Sequence, residues 1–315
     1  MKLVFTPLTA RRAMVYCVQT AVTPPASQTP RLDDKLVKKF GTVWKEFETS
    51  ETGWKKQIVF WTNKMLEQIP YEEWGLKSIP RQSAVLRRLK EIEEQDEKEL
   101  LEKNEKLPEA EQLPIVQLAD IAKRHHEELL KVPLVFPNHL TTPDQAKSQL
   151  LKLATDGAKY HRKYMIWCAI GAPLTLPVAL LPVLPNLPGF YLVFRCWSHW
   201  KALEGANHLK HLIEDNHLEF VASQEVFDAY NKAEDPHVLE NVSRIAEDTE
   251  KTPITLDTTV AKETVQNSLL VDDTSIDQIV ETVKLPDLAA ELKRARRQVV
   301  YNIEKEEKKE KEKKE

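Results

Sequence analysis

The chain reads as an all-α protein, with helical soluble flanks around a proline-broken apolar hairpin, or a single span, in a membrane. Three observations carry this expectation. Residues Tyr164 to Phe194 contain no charged side chain, although 30% of the whole chain is Asp, Glu, Lys or Arg. Prolines interrupt that run at Pro173, Pro177, Pro182, Pro185 and Pro188. Outside it, apolar residues recur at helical spacing, as in Trp54, Ile58, Trp61 and Met65, which step by four, three and four onto one face.

Length decides how the run is arranged. As one straight helix it would be roughly 46 Å long, against a hydrocarbon core of about 30 Å. Two full spans need roughly 40 residues, and the run is shorter than that. The cluster Pro182, Pro185, Asn186 and Pro188 is therefore read as a membrane turn. One arm covers about 160–181, and a second runs from Pro188 to Trp200. Lys159, Arg162 and Lys163 precede the run, while Arg195, Lys201 and Lys210 follow it. Basic residues on both sides put the two ends in the same compartment.

The remaining elements follow in order. Residues 1–32 hold no acid and carry Lys2, Arg11, Arg12 and Arg31, the composition of a mitochondrial presequence. Residues 33–143 form a helical region with proline-rich connectors. Within it, 69–80 is a turn-rich connector containing Glu72, Glu73 and Trp74, 83–106 is a charged helix, and 116–131 is a second helix. Residues 132–143 form an extended, proline-flanked stretch. Thr141 or Thr142, with Pro143 in the first turn, starts the helix that enters the apolar run. The membrane hairpin and its flanking helices occupy 144–214, and a C-terminal helical region occupies 215–303. In that region Ser223 caps a short helix, and two more helices lie near 261–283 and 286–307. Residues 304–315 are a charged tail of balanced sign.

Function classes narrow by exclusion. The net charge of -4 and interleaved signs point away from nucleic acid. The seven glycines form no phosphate-binding loop, and three cysteines show no CxxC spacing. No nucleophile elbow or carboxylate dyad stands out, so no enzyme activity and no cofactor are expected. Adjacent His125 and His126 point about a hundred degrees apart on a helix and cannot share a metal. His208 and His211 lack an evident closed ligand set with His217 or Glu214, so no metal centre is expected. Arg195 and His199 lie one helical turn apart at the water-facing end of the second arm. They are the residues expected at the membrane interface, with His199 in the range of a pH sensor.

Three stretches resemble a known family. LPNLPGFYLVFRCWSHWKALEGANHL, Leu184 to Leu209, is similar to the signature of fungal mitochondrial K+/H+ exchange-related proteins. IPYEEWGLKSIP, Ile69 to Pro80, and PLTARRAMVYC, Pro7 to Cys17, resemble two further motifs of that family. The resemblance implies an inner mitochondrial membrane protein in monovalent cation and proton homeostasis; in that membrane the basic flanks would place both termini in the matrix. It also implies that the N-terminal segment persists rather than being cleaved. The apolar run itself holds no group that titrates near neutrality, and one hairpin cannot enclose an ion path. The expectation is an accessory or regulatory subunit of K+ and H+ exchange, working on the lipid bilayer as a homo-oligomer or with other inner-membrane proteins. The alternative is a membrane-anchored scaffold or assembly factor without a transport role.

Overall fold

The computed structural model describes residues 1–18, 56, 67–108, 112–177, 187–251 and 268–314. The chain divides into two units, Met1–Val18 with Tyr71–Glu315, and Gln19–Pro70. The predicted Trp54 to Met65 stripe lies outside the described residues. The first unit holds a sheet with helices on both of its faces.

The fold is mixed α/β, which corrects the all-α expectation. Strands β1 (Lys2–Pro7), β2 (Ala13–Val18), β3 (Val132–Pro137) and β4 (Leu218–Ser223) form one sheet in the order β2-β1-β3-β4. β1 pairs with β2 antiparallel and with β3 parallel, and β3 pairs with β4 parallel. The described part of the acid-free segment, residues 1–18, thus folds as a buried hairpin of β1 and β2. Its alternation explains why: Leu3 and Phe5 face one core while Leu8 and Met14 face another. β3 repeats the pattern, with Leu134 and Phe136 on one side and Val135 on the other.

Against the Leu134 side lie α1 (Tyr71–Ser78), α4 (Pro143–Leu174) and α5 (Leu187–Glu214), contributing Leu76, Ala146, Leu150, Ala154, Ala202, Ala206 and Leu209. Between α1 and α4 in sequence run α2 (Gln82–Glu105) and α3 (Ile115–Leu130). The Val135 side is covered by α6 (Gln224–Tyr230), α7 (Pro236–Lys251), α8 (Asp273–Val283) and α9 (Pro286–Lys314). That layer is tied to β1 by the Tyr230 hydroxyl, which donates to Pro7 O at 3.0 Å, and by Leu270 N–H to Leu8 O at 2.9 Å. Helix starts match the sequence signals: Thr142 caps α4 reciprocally with Gln145, with Pro143 next, and Ser223 caps α6.

α4 and α5 run antiparallel along each other, since His161 meets His199, Met165 meets Cys196 and Gly171 faces Leu192. A helical hairpin is therefore present, but no described helix is long and apolar enough to cross a membrane. The apolar run is shared between two helix ends, 164–174 and 187–194, each well short of the roughly 20 residues a span needs. The remainder of each helix is committed to the protein core, with Ala146, Leu150, Ala154, Ala202 and Ala206 at 0–1% exposure. The expected membrane hairpin or span is thus replaced by a pair of long helices with an apolar end.

Candidate functional site

At the junction of α1, α4 and α5 the fold buries a polar cluster. Glu73, His161, Arg195, Ser198 and His199 are all buried. Arg195 Nη1 and Nη2 donate to the two carboxylate oxygens of Glu73 at 2.7 and 3.0 Å, a bidentate pair. The Ser198 hydroxyl donates to Glu73 Oε1 at 2.6 Å. Helical spacing assembles the α5 side: Arg195, Ser198 and His199 at i, i+3 and i+4 share one face. α1 presents Glu73 to that face because two glycines allow close approach. A Cβ on Gly205 would lie 1.9 Å from Leu76 O, and one on Gly75 would lie 2.6 Å from Val15 O.

The hydrogen bonds fix the proton positions. Arg195 Nη2 also lies 3.1 Å from His199 Nε2. A guanidinium only donates, so Nε2 accepts and neutral His199 carries its proton on Nδ1. His199 Nδ1 is 2.9 Å from His161 Nδ1, which must then accept and leave its own proton on Nε2. The result is a directed chain from Glu73 through Arg195 and His199 to His161.

Electrostatics agree with this ordering. Burial pushes His161 down to about 4, opposed by the Glu73 carboxylate and helped by the Arg195 and Lys77 charges. Burial and then the Arg195 charge push His199 down to about 4 as well. Burial alone would raise Glu73, but its hydrogen bonds from Arg195 and Ser198 hold it below the usual carboxylate range. Lys77, one turn beyond Glu73, is pushed down to about 8, chiefly by burial. Its ammonium sits 3.8 Å from the Trp74 ring centre, and the Arg294 guanidinium lies 4.9 Å from the same ring. Trp74 Nε1 is buried with no hydrogen-bond partner among the described residues.

Glu73, His161 and His199 each offer a ligand atom, all within 4.8 Å of one another. The tautomers speak against a metal there. A cation on His199 Nδ1 would force the ring proton onto Nε2, directly against Arg195. Glu73 already has both oxygens engaged. The arrangement suits an internally neutralised hydrogen-bond network that ties α1, α4 and α5 together.

Around this cluster the hairpin end is apolar and open. Ile166, Trp167, Ile170 and Leu174 of α4 and Phe190, Tyr191 and Val193 of α5 are exposed, with Leu174 at 75% and Phe190 at 65%. A groove of about 700 Å3 runs between the helices, lined by Met165, Ala169, Val193, Cys196, Trp197 and Trp200, among others.

Arg195 and His199 are therefore brought together, but as buried partners of Glu73 and not at a wetted interface. With His199 neutral down to about 4, it does not titrate near its usual value. Of the predicted turn residues, Pro188 lies in the first turn of α5, while Pro182, Pro185 and Asn186 lie outside the described residues. Sequence reasoning misses His161 and Ser198 as members, and sees Glu73 only as a carboxylate beside a Trp. The i, i+3, i+4 triplet of Arg195, Ser198 and His199 is the available signal, because a polar stripe on an otherwise apolar helix needs a partner.

A family model described as mitochondrial K+-H+ exchange-related matches residues 2–213. The chain belongs to that family. Membership associates it with mitochondria and with K+/H+ exchange. It is similar to the uncharacterized protein YDL183C of Saccharomyces cerevisiae, 30% identical over 222 residues, 70% of this chain and 65% of the relative. The chain thus spans just under two thirds of that relative's length. It is also similar to the uncharacterized protein C23H3.12c of Schizosaccharomyces pombe, 23% identical over 226 residues, 72% of this chain and 81% of the relative. No solved structure matches. The family match includes every member of the buried cluster, both members of the helical pair and β1 to β3, and it ends before β4.

Proposed function

We propose that the protein is a non-enzymatic accessory or regulatory component of K+/H+ exchange at the mitochondrial inner membrane, seated on the bilayer surface by the apolar end of α4 and α5. The observation that carries this reading is the exposed apolar end itself. Trp167, Leu174, Phe190 and Val193 are 60–75% exposed on one end of a helix pair. Lys159, Arg162 and Lys163 follow one another in the turns just below it on α4. Apolar side chains at the tip with aromatic and basic residues behind them suit insertion to the depth of the headgroup boundary. The family relationship supplies the ion chemistry. Passage of ions is assigned to partner proteins or to an assembly of several copies, since one helix pair cannot enclose an ion path.

K+-driven swelling of isolated mitochondria tests the reading. Organelles lacking the protein should swell at an altered rate. Restoring the wild-type chain should return the rate, whereas a Trp167→Glu/Phe190→Glu variant should not. Unaltered swelling without the protein rejects the reading. If inner-membrane complexes fail to assemble in that case, the scaffold alternative takes its place.

A further inference from the structure

We propose that His211, Asp215 and His217 form a surface site for a divalent transition cation of the zinc type, separate from the buried cluster and from the bilayer-facing end. The three residues sit where α5 ends and the chain turns into β4. Each offers one ligand atom, and these atoms all lie within 4.8 Å of one another. His211 Nδ1 is already 2.9 Å from Asp215 Oδ2, and the two imidazole rings are 6.1 Å apart, edge to face. A tetrahedral zinc with bonds of about 2.0–2.1 Å places its ligands about 3.3 Å from one another. Small rotations of the exposed Asp215 and the half-buried His211 and His217 side chains close that gap.

The backbone holds the third ligand in place. Asn216 adopts a left-handed conformation, φ 54°, which Asn tolerates better than most residues with a side chain and which ends the helix here. That turn lets the His217 N–H donate to Leu212 O at 3.0 Å and sends the ring back over the last helical turn. The His217 carbonyl then accepts from Val132 N–H at 2.8 Å, at the head of β3. Leu212 and Ile213 beneath are 4% exposed, so the turn is anchored in the core. His217 is thus fixed on both sides of its Cα before any ligand arrives, which lowers the ordering cost of binding. The ion pair of Lys210 with Glu214, 3.6 Å, draws one nearby cation aside.

Chemistry selects the ligand. Two imidazoles and one carboxylate suit Zn2+, Co2+, Ni2+ or Cu2+, whereas Mg2+ and Ca2+ favour all-oxygen shells. Three protein ligands leave a fourth position open to solvent or to a donor from another molecule. Among the described residues no Arg donates to these three side chains, in contrast to the cluster around Glu73, and the Lys147 ammonium on the same turn is held by Asn216 Oδ1 at 3.5 Å.

Titrating the untagged full-length chain with Zn2+ by calorimetry, and with Co2+ by visible absorption, tests the site. One equivalent should bind, with the Co2+ spectrum of a four-coordinate N/O environment. His217→Ala and Asp215→Asn should each weaken binding by about tenfold or more, and His161→Ala should leave it unchanged. Thermal melts of the variants, without metal, verify that each retains its fold. A wild-type chain that takes up no Zn2+ overturns the proposal. So does uptake that survives both substitutions, or that disappears with His161→Ala while His217→Ala retains it.

Discussion

Arg195 grips both carboxylate oxygens of Glu73 at 2.7 and 3.0 Å, joining α5 to α1 across more than a hundred residues of chain. Glu73 is 1% exposed and Arg195 9%, so neither charge has water to fall back on. A buried pair of this kind contributes little net stability over an apolar pair, yet removing one partner strands the other. Arg195→Ala is therefore expected to destabilise the fold by about 3–5 kcal/mol. Glu73→Leu combined with Arg195→Met should recover most of that loss. Urea unfolding of the three variants measures both, and a double variant as unstable as Arg195→Ala would mean that the ion pair itself supplies the stability.

Acid should unfold the protein through the same cluster. His161 and His199 stay neutral in the folded chain down to about 4, whereas the unfolded chain protonates them near 6.5. Between those limits the unfolded state binds more protons, so stability falls as pH drops. The slope approaches about 1.4 kcal/mol per pH unit for each histidine. Glu73 acts in the same direction at lower pH. Its folded value lies below 4.5, so its contribution is complete above that value and lost as pH falls through the folded one. His161→Asn with His199→Asn should flatten the pH dependence of the urea midpoint between pH 6.5 and 4. An unchanged slope in that variant would place the acid sensitivity elsewhere.

Most helices of this protein are legible in the sequence because caps and periodicity are local, but α1 is not: Tyr71–Ser78 is helical although its proline-bounded stretch reads as a turn-rich connector. Thr142 with Pro143, and Ser223 ahead of Val226, announce their helix starts without reference to anything distant. The sheet is legible only at β3, whose Val132–Pro137 falls within the stretch read as extended. β1 and β3 pair residues about 130 positions apart, as in Leu3 with Leu134, and no local signal encodes a parallel partner. An acid-free start such as KLVFTP satisfies the composition of a leader while its alternation fits a strand, and six residues are too few for alternation to decide. The charge-free run misleads for a related reason. Its ends do form two helix termini joined as a hairpin, but Arg195 is neutralised by a carboxylate on α1 that only the fold brings near. The cluster is half visible, since Arg195 and His199 stand out by spacing, whereas His161 needs the antiparallel packing of α4 on α5 to reach them.

Gly205 lets α5 approach the backbone at the end of α1 closely. A Cβ there would sit 1.9 Å from Leu76 O, 2.9 Å from Leu76 C and 3.2 Å from Ile79 O. Backbone atoms cannot swing aside, so Ala at this position must push the helices apart and lengthen the Glu73 to Arg195 bridge. Alanine's better helix propensity, worth about 1 kcal/mol, works against this cost without matching it. Gly205→Ala should destabilise by about 1–3 kcal/mol or more. Gly171→Ala is the contrast, because among the described residues its new Cβ would meet the Leu192 side chain alone, at 3.3 Å. That variant should stay within about 1 kcal/mol of the wild type. Equal loss in the two, measured by urea denaturation, would exclude close backbone approach as the reason for glycine at 205.

The apolar end of the helix pair should be separable from the fold. Trp167, Phe190 and Val193 are 62%, 65% and 60% exposed, so their side chains add little to the core. Replacing Trp167 and Phe190 with Glu should leave the urea midpoint within about 0.5 kcal/mol of the wild type, as for surface positions in general. The same change places carboxylates where the bilayer-seated orientation requires hydrocarbon contact, and like charges at an anionic headgroup layer repel. Flotation with phosphatidylcholine–cardiolipin vesicles should therefore carry the wild-type chain upward and leave the variant behind. If both float equally while retaining the same stability, the lipid-facing surface lies elsewhere on the molecule. If the variant loses stability as well, these side chains are packed against protein and the exposed end is part of the fold.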